Sequence, residues 1–387
     1  MVFGRVSLVL ILAAGACSLL TDLDGIEGDP PVTGAGGSGA ATGGNGGTWL
    51  DPGYASRKRL TLDTTITTVD LTDITLAVVL SDPELAGAGY ADGRDIAFTA
   101  ADGVTRLGHE LEYFDRGTGD LVAWVSIPVV QALTPSDIYV YFGNPAADDQ
   151  QDLARTWPSA TYRGIWHLSQ NPSAAGKPML DSTANGNHGD PDGNPTSVTG
   201  IAAQALSFDG DVDRVVIADL TGSLDVAELS SFSFSVWALI TEFSGAGDEL
   251  VQQFGATGAG FLIDITPNDS WYSGVSDGTT SSTVQFGTDA DFLSRWSHLV
   301  CVVDFDGSSI QAYAQGSFRE ERDLTVSLTN TMAGLQLCPA GNPCKGILDE
   351  VRVYAMGLSA DWIALEHRNL DPDAPAFVTS GPVEHAP

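Results

Sequence analysis

Basic residues are scarce in this chain: 17 Lys and Arg stand against 50 Asp and Glu, for a formal net charge of -33. Charged residues make up only 17% of the sequence, so the acidity reflects missing cations more than surplus carboxylates. Such a field repels phosphate backbones and anionic headgroups, which excludes nucleic acid as a partner and leaves a membrane reachable only through a lipid anchor. Divalent cations are compatible with it. Long apolar runs are also lacking. The run from Val6 into Ala13–Ala16 is too short for the ~20 apolar residues of a bilayer span. Cysteine is rare, with only Cys17, Cys301, Cys338 and Cys344. No H-E-x-x-H helix or P-loop occurs, so zinc-hydrolase and nucleotide chemistries have no visible seat.

What is present begins with an export signal. Arg5 precedes the apolar run, and small residues close it at "AGAC". Ala14 and Ala16 satisfy the A-x-A pattern of secretory cleavage, while Cys17 directly after "AGA" resembles the acylated cysteine of bacterial lipoproteins. Position 14 is Ala where that pattern usually has Leu. The expectation is a signal peptide over 1–16 and lipidation at Cys17, with ordinary secretion as the alternative. Residues 17–48, rich in Gly, Ser and Ala, cannot bury a core and read as a flexible tether. In "CPAGNPC" the turn residues bring Cys338 and Cys344 close, and a disulfide is expected in an oxidising compartment. Zinc is the competing reading, but a second ligand pair at matching spacing is missing. Cys301, inside "HLVCVVDFD", reads as a buried apolar residue.

Two blocks follow, and the expected fold class is all-β with two β-sandwiches. Over 49–150, "RKRLTLD", "ITLAVVL", "DIAFTA", "HELEYFD", "LVAWVSIP" and "DIYVYFGN" are short, rich in β-branched and aromatic residues, and separated by Gly, Asp or Pro. Over 160–378 the same period-two alternation recurs, in "FSFSVWALI", "HLVCVVDFD" and "GILDEVRVY". One helix is expected at "LSADWIALEHRN", capped by Ser359, with Trp362, Leu365 and Glu366 sharing a face. Residues 379–387 read as a tail.

Both blocks carry resemblances. The segments "RKRLTLD", "DGRDIAFTA", "LVAWVSIP" and "DIYVYFGNP" resemble, in that order, an uncharacterised domain family of bacterial and archaeal surface proteins; this implies an extracellular location and no activity. "DSTANGNHG", "ALSFDGDVDRV", "FSVW", "WSHLVCVVD" and "LDEVRVY" resemble the laminin-G-like, concanavalin A-like jelly rolls. That family implies the jelly-roll fold and includes glycan-binding modules, adhesion domains and parts of enzymes, so it leaves function open.

The resemblance also implies a structural calcium between "DSTANGNHGD" and a late strand, where Asp181, Asn185, Asn187 and Asp349 are the expected ligands. Alternation in "LDEV" sends Asp349 and Glu350 to opposite faces, which would leave Glu350 exposed or paired with Arg352. The bland reading of the loop is a set of Asn and Gly turns. "FDGDVDRVV" begins like an EF-hand but has Arg214 and Leu220 where Gly and Glu belong, so Asp209 and Gly210 read as a turn into a strand. His188 has no visible catalytic partner. Jelly-roll glucanases carry an E-x-D-x-x-E strand that is missing here, and retaining glycosidases need carboxylates ~5 Å apart. The protein is therefore expected not to be an enzyme, with a polysaccharide hydrolase as the reading left to test. Trp166, Trp237 and Trp296 lie within strand motifs and read as core. Trp271 and Tyr272, flanked by Pro, Asn, Asp and Gly, read as exposed ligand contacts. The expected function is a surface lipoprotein that binds a glycan or cell-surface polymer; an adhesive envelope protein with a protein partner is the alternative.

Overall fold

The segments with period-two alternation do become strands. A computed structural model describes residues 48–243, 247–328 and 333–387. The expected signal peptide, Cys17 and the tether up to residue 47 lie outside the described residues. Six strands come first: β1 (Ser56–Leu62), β2 (Leu71–Ser81), β3 (Ala97–Ala100), β4 (His109–Asp115), β5 (Asp120–Val130) and β6 (Ser136–Phe142). A short helix α1 (Leu153–Thr156) leads to β7 (Tyr162–Trp166), β8 (Gly189–Asp192), β9 (Thr196–Thr199), β10 (Gln204–Asp209) and β11 (Arg214–Ile217). Then come β12 (Ser231–Glu242), β13 (Asp248–Phe254), β14 (Ala259–Ile265), β15 (Ser270–Asp277) and β16 (Ser281–Thr288). The chain finishes with α2 (Asp289–Phe292), β17 (Ser297–Asp304), β18 (Ser309–Ala314), β19 (Ser317–Asp323), β20 (Leu335–Leu337), β21 (Lys345–Tyr354), α3 (Ala360–Leu370) and β22 (Val378–His385). Among the described residues no helix is long and apolar enough to cross a membrane.

These strands make two sandwiches, all antiparallel. In the first, the sheet β22-β1-β6-β3 faces the three-stranded sheet β2-β5-β4. Leu60, Leu62, Ile138 and Val140 from one sheet meet Leu76, Val78, Ala123 and Val125 from the other. In the second, the sheet β19-β18-β17-β12-β21-β10-β9, with β7 beside β21, faces β16-β15-β14-β13-β20-β11-β8. Phe234, Val236, Cys301, Val351 and Val353 fill that core against Phe261, Ile263 and Trp271. Each strand thus points alternate residues into its own core, as a sandwich requires.

The two cores are not separate bodies. Trp237, Val300, Val302 and Tyr354, on the outward face of the second sandwich, join the same apolar cluster as Trp124, Leu76 and Val78 of the first. The three-stranded sheet is therefore covered on both sides.

Residues 379–387, read as a tail, instead supply a strand. β22 runs antiparallel to β1, with Ser56 opposite His385 and Leu62 opposite Val378. The segment alternates poorly and carries Gly381 and Pro382, which hides an edge strand from a pattern reading. The first sandwich is thus closed by the end of the chain, with the whole jelly roll inserted between β6 and β22.

The expected helix forms as α3, and the Ser359 hydroxyl accepts from the Trp362 amide at 3.2 Å. It also clamps the first sandwich. Asn369 uses its side-chain amide like a strand: Oδ1 accepts from the Ala77 N–H at 2.7 Å and Nδ2 donates to the Ala77 carbonyl at 2.9 Å. Asp361 accepts from the Thr68 and Val69 amides at 3.1 and 3.0 Å. Cys338 and Cys344 are disulfide-bonded, and Cys301 is buried in the jelly-roll core. Asp209 and Gly210 form the expected turn, the Asp209 carboxylate accepting from the Asp211 amide at 2.9 Å.

His109 is an ionisable group held inside the first sandwich. It is 1% exposed and lies 5.1 Å from the Phe98 ring. Burial pushes its pKa down from 6.5 to about 4, the Leu107 and Ile96 carbonyls offsetting only part of that. A base whose pKa is depressed on folding contributes stability that is full above the unfolded value and is lost as pH falls through the window from 6.5 to about 4. The expected loss across that window is about 3 kcal/mol. Urea titrations at pH 7 and pH 4.5 should show it, and His109→Phe should remove that part of the pH dependence while other groups keep theirs.

Candidate functional site

A cluster of buried ionisable side chains forms where the sandwiches meet. β4 supplies Glu110 and Glu112, β5 supplies Trp124, the turn after β7 supplies His167, β21 supplies Glu350 and Arg352, and α3 supplies Glu366. His167 lies at the centre. Its Nδ1 is 2.7 Å from Glu350 Oε1, and its Nε2 is 3.3 Å from Glu110 Oε2. Trp124 stacks on the imidazole with centroids 5.1 Å apart.

The surrounding partners are specific. Glu110 accepts from Trp157 Nε1 at 2.5 Å and from the Ser182 hydroxyl at 2.8 Å. Glu112 Oε2 accepts from Trp124 Nε1 at 2.8 Å, while its Oε1 is buried without a hydrogen-bond partner. Arg352 donates to Glu350 at 2.8 Å and to Glu366 at 3.3 Å, with its guanidinium 4.5 Å over the Trp124 ring. Tyr354 donates to Glu366 at 3.0 Å. Beside Arg352 is an enclosed space of about 10 Å³, lined in part by Ser235, Trp237 and His298, which is room for one water molecule.

Burial and mutual charge set the protonation of this group. Burial alone would lower the His167 pKa, but Glu350, Glu112 and Glu110 outweigh it and hold the imidazole well above its usual range. Burial pushes Glu112 up to about 7; His167 opposes the rise, and Glu350 and Glu110 add to it. Glu350 is held below the usual carboxylate range, because His167 and Arg352 overcome the effect of burial. Burial raises Glu366, and Arg352 offsets only part of it.

A bulge in β21 makes the cluster possible and corrects one expectation. Ser235 pairs with Arg352 and Trp237 with Asp349, so Glu350 and Val351 together oppose Val236. Glu350 sits at φ +48°, the left-handed region that non-glycine residues rarely occupy. Strict alternation would put Asp349 and Glu350 on opposite faces. The extra residue instead turns Glu350 toward the first sandwich, on the same side as Asp349 and Arg352. Glu350 is 1% exposed, so the paired alternative is the one observed.

The expected calcium ligands Asp181, Asn185, Asn187 and Asp349 are each hydrogen-bonded within the fold. Asp181 Oδ1 accepts from the Ile165 and Thr183 amides and the Thr183 hydroxyl at 3.1, 2.9 and 2.8 Å, and Oδ2 accepts from the Asn187 amide at 2.9 Å. Asn185 donates to the Arg163 carbonyl at 2.8 Å, and Asn187 donates to the Ser223 hydroxyl at 2.9 Å. The three therefore share one self-bonded loop that carries Ser182 to Glu110. Asp349 accepts from the Ile201 amide at 2.7 Å and from the Glu350 amide at 2.9 Å.

Trp271 and Tyr272 are not on an exposed loop. The polar residues before them make only the tight turn between β14 and β15, so Trp271 already lies in a strand. It is fully buried, packs 5.2 Å from Phe292 and donates to Asp289 Oδ1 at 2.7 Å. Tyr272, partly buried, donates its hydroxyl to Asp264 Oδ2 at 2.7 Å. A ring that large needs the core more than a sugar does.

An open cleft of about 360 Å³ lies at the edge of the seam. Val79 pairs with Val122 and Val122 with Tyr113, which sets these side chains in one row on the face that carries Trp124. Trp124 and Val122 are buried, but the two ends of the row are not. Val79 is left 45% and Tyr113 43% exposed. Asp120 and, from the jelly roll, Gln204 border the same cleft. "HELEYFD" contains Tyr113, Glu110 and Glu112 together, but a local pattern does not reveal what faces them.

With the two sandwiches and their seam in place, family relationships follow. Residues 209–364 match the concanavalin A-like lectin/glucanases superfamily. Residues 92–163 match a domain of unknown function, DUF2341. No curated protein is similar to the chain in sequence. Among solved structures, the botulinum neurotoxin serotype D ligand binding domain in complex with N-acetylneuraminic acid is 11% identical with a TM-score of 0.46, over 56% of this chain and 52% of that one. The botulinum neurotoxin DC binding domain in complex with rat synaptotagmin II is 14% identical with a TM-score of 0.43, over 52% and 51%. The chain spans about half the length of these structures. The seam brings Glu112 and Trp124 of the DUF2341 segment against Glu350 and Arg352 of the lectin-like segment, while the cleft residues Ala202, Ala203 and Gln204 lie just before the latter.

Proposed function

We propose that this chain is an exported binding protein, held to a membrane by acylated Cys17, that recognises a carbohydrate in the cleft between its two sandwiches. The observation that carries the proposal is the row Val79–Val122–Tyr113, in which exposed Val79 and Tyr113 flank the buried Val122, with Asp120 and Gln204 at its border. Sugar rings present apolar faces and polar edges, and a row of this kind meets the first with stacking and the second with hydrogen bonds. The cleft volume falls within the ~300–1,000 Å³ of ordinary ligand sites, which favour domain interfaces. The superfamily match over 209–364 supports a lectin-like role.

The test is a glycan array read with the purified chain, in calcium and again in EDTA. A bound glycan should lose about tenfold in affinity on Tyr113→Ala, the scale of an aromatic contact residue, with the thermal midpoint unchanged. No glycan bound in either condition, or unchanged affinity in the variant, would refute the assignment.

A further inference from the structure

We propose that Glu112, His167 and Glu350 form a divalent-metal site enclosed between the two sandwiches. One donor atom from each lies within 4.8 Å of the others. Two ligands held ~2.1 Å from one ion are at most ~4.2 Å apart, so side-chain adjustments of under ~1 Å close the set. The second observation is Glu112 itself: its side chain is 2% exposed, and Oε1 is buried without a partner. A buried carboxylate oxygen left without a donor is costly unless a cation meets it.

The outer partners fit a metal site. Glu110 stands at His167 Nε2, on the far side of the ring from the other two carboxylates. With a cation on Nδ1, the imidazole is neutral, its Nδ1 proton goes to solvent, and Nε2–H is donated to Glu110. That carboxylate–imidazole–metal arrangement orients ligating histidines generally. Trp124 Nε1 holds Glu112 Oε2 and Arg352 holds Glu350 Oε2, and His167 Nδ1 lies 3.9 Å from Glu112 Oε2 and 2.7 Å from Glu350 Oε1. One imidazole and two carboxylates suit a first-row transition ion, and zinc is the practical probe. The ligands come from β4, the turn after β7, and β21, so the ion would tie the two sandwiches together.

The site is closed in the folded chain, so the experiment loads it during folding. The full chain is unfolded in guanidinium with EDTA, then refolded with and without Zn²⁺, freed of loose metal and analysed for metal content. One retained equivalent is expected in the natural chain and none in Glu112→Gln, which keeps the shape and the Trp124 contact. Refolding the natural chain with Co²⁺ reads the site without any variant, and a ligand-field spectrum of a nitrogen- and oxygen-bound ion is expected. A natural chain that retains no equivalent, a Glu112→Gln chain that retains it, or a Co²⁺ spectrum identical to that of the hydrated ion would each overturn the proposal.

Discussion

Replacing Arg352 by Met should cost about 3–5 kcal/mol of stability, the usual scale for breaking a buried ion pair. The guanidinium donates to both Glu350 and Glu366 and lies over the rings of Trp124 and Trp157 at 4.5 and 5.5 Å. Methionine fills part of the volume, but it leaves two carboxylates facing each other without their cation. The loss is dominated by those stranded charges more than by the missing attraction. Two comparisons make the cause visible. Arg352→Lys should recover little, because one compact ammonium cannot reach both carboxylates as the planar fork does. Combining Arg352→Met with Glu350→Gln and Glu366→Gln should recover a substantial part, since no charge is then stranded. Urea denaturation at pH 7 measures all three. A loss below ~1 kcal/mol in Arg352→Met would mean that the seam admits enough water to screen its charges.

Ending the chain at Phe377 should cost a comparable amount. β22 makes six register pairs with β1, and Glu384 holds Arg57 through a 2.7 Å ion pair. Net hydrogen-bond contributions of ~0.5–1.5 kcal/mol each, at one bond per pair, give an expected loss of about 3–9 kcal/mol. Removal of β22 also bares the outer edge of β1. Arg57 and Lys58, 3% and 4% exposed, would lose their cover. The shortened chain should therefore show both a lower urea midpoint and concentration-dependent association by light scattering, as unpaired edges invite. An unchanged midpoint would show that β22 is an ornament on a sandwich already complete without it.

The readable and unreadable parts of this molecule differ in physical kind. The alternation of Phe232, Phe234 and Val236, the capping of α3 by Ser359 and the close pair Cys338–Cys344 all depend on residues near one another in sequence. They were legible. Trp271 was misread because the Pro-Asn-Asp run before it looks like an open loop, when it is only the turn between two strands. Glu350 was misplaced because alternation assumes one residue per pleat, and the β21 bulge spends two. The seam was invisible for a third reason. Glu112, His167 and Arg352 each look like one charge in an ordinary strand or turn, and only the packing of one sandwich on the other gives them partners. The Asn369 clamp on Ala77 belongs to the same class.

The placement of β22 also governs the order in which the molecule can be assembled. Ser56 and His385 stand 329 residues apart, and Asn369 is 292 residues from the Ala77 backbone it bonds. Contacts of such separation close late and slowly, because the chain entropy between them must be given up before they form. During synthesis the first sheet waits with one side open while the whole jelly roll is made. The second domain, although later in sequence, is free to fold to completion first, and the first is finished by the final few residues.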